Sequence, residues 1–131
     1  MVCQAIRGAN LQKAKKLLEE AIALRRAIPF TRYNDNMGHK HGISSGSFAV
    51  STCEHILKLL KSAEANAQFK GLSTGNLIVR HASAQKGPTT HHAGRQRRLA
   101  KRTHVELVLE EAKKQEASKA PRASKGSEAK K

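Results

Sequence analysis

The cationic side chains between residues 86 and 102 are the residues in this sequence best suited to chemistry. The stretch contains six lysines and arginines and two histidines: Lys86, His91, His92, Arg95, Arg97, Arg98, Lys101 and Arg102. No acidic residue occurs between Glu64 and Glu106, so no carboxylate within the stretch neutralises these charges. Ammonium and guanidinium groups in this density bind phosphate. The stretch therefore predicts contact with a polyanion, with nucleic acid as the leading candidate.

Two other interpretations of the same charges stay open. A charged loop can simply be solvated, and a short lysine- and arginine-rich segment can serve as a nuclear-import signal. The flanking sequence favours nucleic acid, because two β-like runs would hold the segment at both ends. If about six to eight phosphates are contacted, the salt slope of binding is expected to be about −0.7 to −0.9 per contact.

Three further cations complete the candidate nucleic-acid-binding set. Arg32 and Lys40 lie in the segment 31–47, which is rich in glycine and turn-forming residues and is predicted to be a loop. A loop of that length is usually functional or disordered. Arg80 lies in the first of the β-like runs.

Metal binding, catalysis and cofactor binding find no support in the pattern. The seven histidines and two cysteines do not reproduce structural zinc spacing. Acidic residues are scattered, and the sequence has no nucleophile-elbow or phosphate-cradle motif. Cys53 lies on an apolar helical stripe and is predicted to be a core residue. The sequence therefore predicts a protein that is not an enzyme and has no metal or cofactor.

Two amphipathic helices are predicted. The first follows Asn10, a plausible N-cap, and runs to about Leu24. The second begins near Ser51, whose spacing to Glu54 fits a capping box, although a start as early as Ser47 is open. It ends at Gly71, which suits a left-handed C-terminal cap.

Two strands are predicted after these helices, at about 77–86 and 103–110. The connection between them is longer than a hairpin turn, so the ladder is expected to extend into a long basic ribbon. The fold class is therefore α+β: helices packed on a small antiparallel sheet, with a protruding basic β-hairpin at about 76–111. Residues 1–111 form one predicted domain, and 112–131 a disordered basic tail.

Composition supports the choice of partner. The chain has 131 residues and a formal net charge of +15, which opposes compaction unless a polyanion neutralises it. Aromatic residues make up 3%, so an extended base-stacking surface is not expected, and contacts to phosphates should dominate. No apolar stretch is long enough for a membrane span, and the two cysteines fit a reducing compartment, cytosolic or nuclear.

With these residues in view, the chain resembles the large-subunit ribosomal protein family numbered twenty-two in bacteria and seventeen in eukaryotes. The segment 29–34 is similar to one typical of the archaeal and eukaryotic branch. The other similar stretches are an early helical turn and restart, a signature helix, and a hairpin with its return strand: 5–8 with 11–14, 59–67, and 87–89 with 94–95 and 101–105.

The resemblance implies a structural role in translation and subunit assembly, with large-subunit ribosomal RNA and neighbouring ribosomal proteins as partners. Residues 90–98 would form the hairpin tip at the wall of the polypeptide exit tunnel, and Lys86, Lys101 and Arg102 would hold RNA along the stem. Whether the tip contacts the nascent peptide is left open by the sequence. The implied location is the cytosolic ribosome, after transit through the nucleus.

Two departures from the family are apparent. Members usually have a strand and most of a helix before the equivalent of Ile6-Arg7-Gly8, so a shortened eukaryotic-type member or a truncated start is expected. The hairpin tip is also shorter than usual. The rival interpretation is a basic protein outside the ribosome that packages or regulates nucleic acid.

Overall fold

The computed structural model describes residues 1–95 and 98–112, and these form an α+β structure. The described helices are α1 (Val2–Ile6), α2 (Leu11–Ile22) and α3 (Val50–Phe69). The described strands are β1 (Ile28–Pro29), β2 (His39–Lys40), β3 (Ser44–Ser47), β4 (Leu77–Lys86), β5 (Thr90–His91), β6 (Leu99–Ala100) and β7 (Thr103–Glu111). Residues 96–97 and 113–131, which include Arg97 and nearly all of the predicted tail, lie outside the described part.

Helix α2 begins where the sequence predicts, because Asn10 caps it. The Asn10 side-chain oxygen accepts a hydrogen bond from the backbone N–H of Gln12 at 3.0 Å. This bond satisfies one of the donors that the first helical turn leaves unpaired. The apolar stripe is buried at Leu11, Ala14, Leu18 and Ala21. The helix ends at Ile22, two residues before the predicted end.

Helix α3 corrects one prediction and confirms another. Its N-cap is Ala49, which makes no side-chain capping bond, and Ser51 already lies inside the helix. The predicted capping box is therefore wrong. The C-terminal prediction is confirmed: Gly71 has φ +74°, its N–H donates to the Gln68 carbonyl, and the N–H of Leu72 donates to the Ala67 carbonyl. These two bonds form a Schellman motif.

Strands β4 and β7 form an antiparallel ladder in which Leu77 pairs with Glu111 and Lys86 with Thr103. The register shifts between Val79 and His81, so Arg80 is an extra residue in a β-bulge. Because of the bulge, Val79 and Ala82 are both buried although they are three residues apart. Simple alternation would not predict that spacing.

The other edge of β4 is covered by the connection between α1 and α2. The N–H of Gly8 donates to the Val79 carbonyl at 2.8 Å, and the N–H of Val79 donates to the Ala9 carbonyl at 2.9 Å. The Arg7 guanidinium also donates to the Ala82 carbonyl at 2.6 Å. This short pairing fixes α1, which the prediction of two helices omitted, against the hairpin.

The segment predicted to be a loop is partly a small antiparallel sheet. Strands β1, β3 and β2 pair in that order, and the β2–β3 part lies inside residues 31–47. The loop prediction is therefore wrong for these residues. Two of these strands are only two residues long, too short for an alternating pattern to show in the sequence.

The core lies between the helices and one face of the β4–β7 ladder. Leu18 of α2, Leu60 of α3 and Val79 of β4 are completely buried in one apolar cluster. At the edge of this cluster an ion pair between Lys15 and Glu64 ties α2 to α3. The packing confirms the predicted fold class of helices on antiparallel strands.

Candidate nucleic-acid interface

The β4–β7 ladder continues beyond its main strands into the basic segment. Past Lys86, the N–H of Gly87 donates to the Arg102 carbonyl at 2.9 Å. Strands β5 and β6 then pair, and the N–H of His92 donates to the Arg98 carbonyl at 2.9 Å. We call residues 77–92 and 98–111 the hairpin. The backbone of its basic part is therefore held by hydrogen bonds on both sides.

Gly87 allows the two sides of the hairpin to approach closely at the start of the basic part. A Cβ atom placed on Gly87 would lie 3.0 Å from Nε2 of His104 and 3.2 Å from Cβ of Arg102. Gly87 itself is buried beneath these neighbours. A larger residue would displace the side chains that cover it, which include one of the predicted phosphate-binding residues.

The predicted cations of the hairpin and its turn are exposed. Seven described residues between 86 and 102 are open to solvent and have no ion pair with a described carboxylate: Lys86, His91, His92, Arg95, Arg98, Lys101 and Arg102. An exposed lysine or arginine retains its charge and can meet a phosphate without first breaking a salt bridge. With Arg80 at the bulge, the structure therefore brings eight of the eleven predicted residues onto this one hairpin and its turn.

Arg80 lies on the same hairpin, at the bulge. Its side chain is 76% exposed, and its Nε lies 3.6 Å from a carboxylate oxygen of Glu110 on the opposite strand. A pair this exposed contributes little and exchanges readily for another anion. Arg80 therefore remains available to a phosphate, with Glu110 as a weak competitor.

Lys40 lies in β2 of the β1–β3–β2 sheet, and Arg32 lies in the connection from β1 to β2. This sheet has no strand in common with the hairpin. Arg32 is exposed. Lys40 is half-buried, and its Nζ lies 5.6 Å from the centre of the Phe48 ring, within cation–π range. We call these two residues, which lie outside the hairpin, the second cationic area.

The polar and thiol groups of the described residues do not form a site for metal. Within residues 1–95 and 98–112, no three histidine, cysteine, aspartate or glutamate side chains come close enough to hold a metal ion. Cys53 is completely buried on α3, as the sequence predicts, and burial raises the pKa of its thiol. None of the described helices has the length and apolar character needed to cross a membrane.

The predicted set does not include the exposed aromatic residue next to Arg32. Tyr33 follows Arg32 directly, and its side chain is 95% exposed. In the sequence, Tyr33 stands out only because it is the one tyrosine and lies in a segment rich in turn-forming and basic residues. That signal does not reveal whether the ring is buried, so the sequence alone could not select it.

Comparison with known proteins places these features in a family. The family model for ribosomal protein L22p/L17e matches residues 1–110. Three similar proteins, each named large ribosomal subunit protein uL22, come from archaea. The one from Archaeoglobus fulgidus is 42% identical over 89 residues, which are 66% of this chain and 57% of that protein.

The other two relatives give similar values. The protein from Methanocella arvoryzae is 44% identical over 89 residues, 66% of this chain and 58% of its own length. The protein from Staphylothermus marinus is 41% identical over 119 residues, which cover 82% of this chain and 76% of that protein. The chain thus spans less than two thirds of the length of some relatives and about three quarters of another.

Proposed function

The chain belongs to the ribosomal protein L22p/L17e family, and from this we propose that it is a structural constituent of the large ribosomal subunit that binds ribosomal RNA. The observation that carries the proposal is the hairpin: exposed cations on a hydrogen-bonded backbone, in a stretch without acidic residues. The archaeal relatives support membership of the archaeal and eukaryotic branch. A eukaryotic origin stays a prediction.

The proposed role is architectural. RNA segments repel one another through their phosphates, and cations placed between them lower that repulsion. Lys86, Lys101 and Arg102 would hold RNA along the stem of the hairpin, with Arg80 at the bulge. Because the β4–β7 ladder and the Gly87–Arg102 hydrogen bond beyond it hold the backbone, less conformational freedom is lost on binding than on a free tail.

The end of the hairpin has a more specific proposed role. Residues 90–98, with His91, His92, Arg95, Arg97 and Arg98, would form part of the wall of the polypeptide exit tunnel. Arg32 and Lys40 would contact RNA from the second cationic area. Neighbouring ribosomal proteins are further proposed partners, and contact of the tip with the nascent peptide is part of the same proposal.

The proposed location is the ribosome in the cytoplasm, reached after transit through the nucleus during assembly. The hairpin charges that bind RNA also fit recognition by an import receptor. In the subunit these charges would be covered by RNA, so the two uses would occur at different times.

Gradient sedimentation tests the proposal. The tagged full-length chain, made in the cells that encode it, is expected to migrate with large subunits at moderate salt. Replacing both Arg95 and Arg98 by Gln should cause loss from the subunit fraction at lower salt than wild type, because each lost phosphate contact reduces the salt slope by about 0.7 to 0.9.

The matched control removes the same charge elsewhere. Lys13 and Lys16 are exposed on α2, and replacing both by Gln should leave the salt dependence close to that of wild type. If the two double variants have equal effects, the hairpin arginines contribute only through the net charge of the chain and not through contacts at defined positions. Absence of the wild-type chain from large subunits would contradict the proposal and favour a nucleic-acid-binding role outside the ribosome.

A further inference from the structure

The ring of Tyr33 is almost fully in solvent, and its backbone is in an unfavourable conformation. The side chain is 95% exposed, and φ is +52°. A left-handed backbone is uncommon for residues other than glycine, asparagine and aspartate, because Cβ then approaches the carbonyl oxygen. The described protein therefore holds a large apolar ring outward without gaining burial energy from it.

Hydrogen bonds on both sides fix the backbone around Tyr33. The N–H of Phe30 donates to the Ser45 carbonyl at 3.0 Å, and the Ser45 hydroxyl donates to the Phe30 carbonyl at 3.2 Å. On the other side, the Asn34 amide donates to the Ser45 hydroxyl at 2.9 Å. The N–H of Met37 donates to the Asn34 carbonyl at 3.1 Å. Tyr33 thus lies between two segments that are both tied to β3.

The chain segment that contains Tyr33 is rich in basic residues. Exposed Arg32 precedes Tyr33 in the chain, and the segment that follows contains His39 and half-buried Lys40 in β2 and then His41. Asp35 is the only acidic residue between Glu20 and Glu54. An exposed ring beside an arginine matches the chemistry of a nucleotide, whose base stacks on aromatic faces while its phosphate pairs with a cation. An apolar protein partner would instead call for further exposed apolar side chains here.

We propose that Tyr33 is a stacking platform for one unpaired base of the bound RNA, with Arg32 binding the adjoining phosphate. The proposal rests on the proposed RNA-binding function and assigns a second kind of contact to it. The hairpin binds through phosphates, whereas Tyr33 engages a base that is free of pairing. A single ring agrees with the low aromatic content, which excludes an extended stacking surface and allows one local contact.

The composition of the chain supplies a direct probe. Tyr33 is the only tyrosine, and there is no tryptophan, so the intrinsic fluorescence of the full chain at tyrosine wavelengths comes from this ring. Saturation with a short single-stranded oligoadenylate should quench that fluorescence. A blunt RNA duplex of the same length, whose bases are already stacked and paired, should quench it much less.

Affinity measurements with variants separate the contribution of the Tyr33 ring to RNA binding from that of the charged side chains. Tyr33→Leu should weaken binding of the oligoadenylate by about 5- to 100-fold, the range that loss of one stacking contact produces. It should leave duplex affinity and the salt slope unchanged, because no charge is lost. Tyr33→Phe keeps the ring and should bind the oligoadenylate within about twofold of wild type. The Arg95→Gln, Arg98→Gln double variant should weaken binding of both RNAs.

Several outcomes would overturn the proposal. Equal oligoadenylate affinity of wild type and Tyr33→Leu, or unchanged fluorescence at saturation, would exclude stacking while leaving the hairpin result to stand alone. If Tyr33→Leu binds RNA normally but is lost from large subunits, the ring contacts a protein neighbour instead. If the wild-type chain binds neither RNA, the proposed function fails together with this inference.

Discussion

The cations of the hairpin differ from ordinary surface charges because their backbone is fixed. Arg102 accepts a hydrogen bond from Gly87, and Arg98 accepts one from His92, both through their carbonyls. Their side chains stay exposed, and among the described ones only Arg80 has an ion pair with a described carboxylate, the weak one to Glu110. A phosphate can therefore be bound without ordering the main chain first.

Cys53 represents the opposite case, a reactive group removed from solvent. Its side chain is completely buried on α3, and burial raises the pKa of its thiol. Since the thiolate is the reactive form, the folded protein should react with a disulfide reagent at neutral pH more slowly than the urea-unfolded chain, by more than about tenfold. The Cys3→Ala variant leaves Cys53 as the single thiol and makes the measurement unambiguous.

The same shift sets the direction of a pH effect. A raised pKa in the folded state means that the neutral thiol stabilises the fold below the ordinary thiol pKa. That contribution is lost as pH rises above the ordinary value towards the raised one. For the reactivity prediction, the contradicting result is a folded Cys3→Ala protein that reacts with the disulfide reagent as fast as the unfolded chain. That result would show that Cys53 is not buried.

At the scale of elements, the sequence predicts the long helices and strands, in which an apolar pattern repeats several times, and misses the short ones. Helices α2 and α3 and the alternation in β7 extend over enough residues for their apolar pattern to identify them. Helix α1 has five residues and β1 has two, so neither shows a period. The bulge at Arg80 is fixed by pairing with a distant strand, which no local pattern encodes.

Helix starts provide a test of this difference. The Asn10 side-chain oxygen accepts a hydrogen bond from the backbone N–H of Gln12 in the first turn of α2. Asn10→Ala should therefore lower the free energy of unfolding by about 1 kcal/mol, within a range of about 0.5–2. Ser51 is exposed inside α3 and makes no capping hydrogen bond. Ser51→Ala should therefore change the free energy of unfolding by less than about 0.5 kcal/mol. Urea unfolding followed by circular dichroism measures both.

The comparison of the two variants is decisive for α3. A loss from Ser51→Ala as large as that from Asn10→Ala would mean that Ser51 is the N-cap and that the helix begins later than Val50.

The candidate site shows a related division. The sequence identifies the hairpin cations, since charge is visible in composition, but the exposure of Tyr33 and the close contact at Gly87 depend on the folded chain.

For the whole molecule, charge and fold point to the same partner. A net charge of +15 opposes compaction, and the described core is a small cluster between the helices and one face of the ladder. Bound RNA would relieve that repulsion and add contacts on the hairpin and on the β1–β3–β2 sheet. The protein is therefore expected to be most stable when assembled with RNA.

A density map of large subunits purified through the tagged chain tests the central claim most directly. The account predicts that β4 and β7 are continuous in density and that ribosomal RNA surrounds the basic part of the hairpin. Phosphate oxygens should lie within hydrogen-bond distance of Lys86, Lys101 and Arg102. A map in which these three side chains face solvent, or in which purified large subunits lack the chain, would contradict the account.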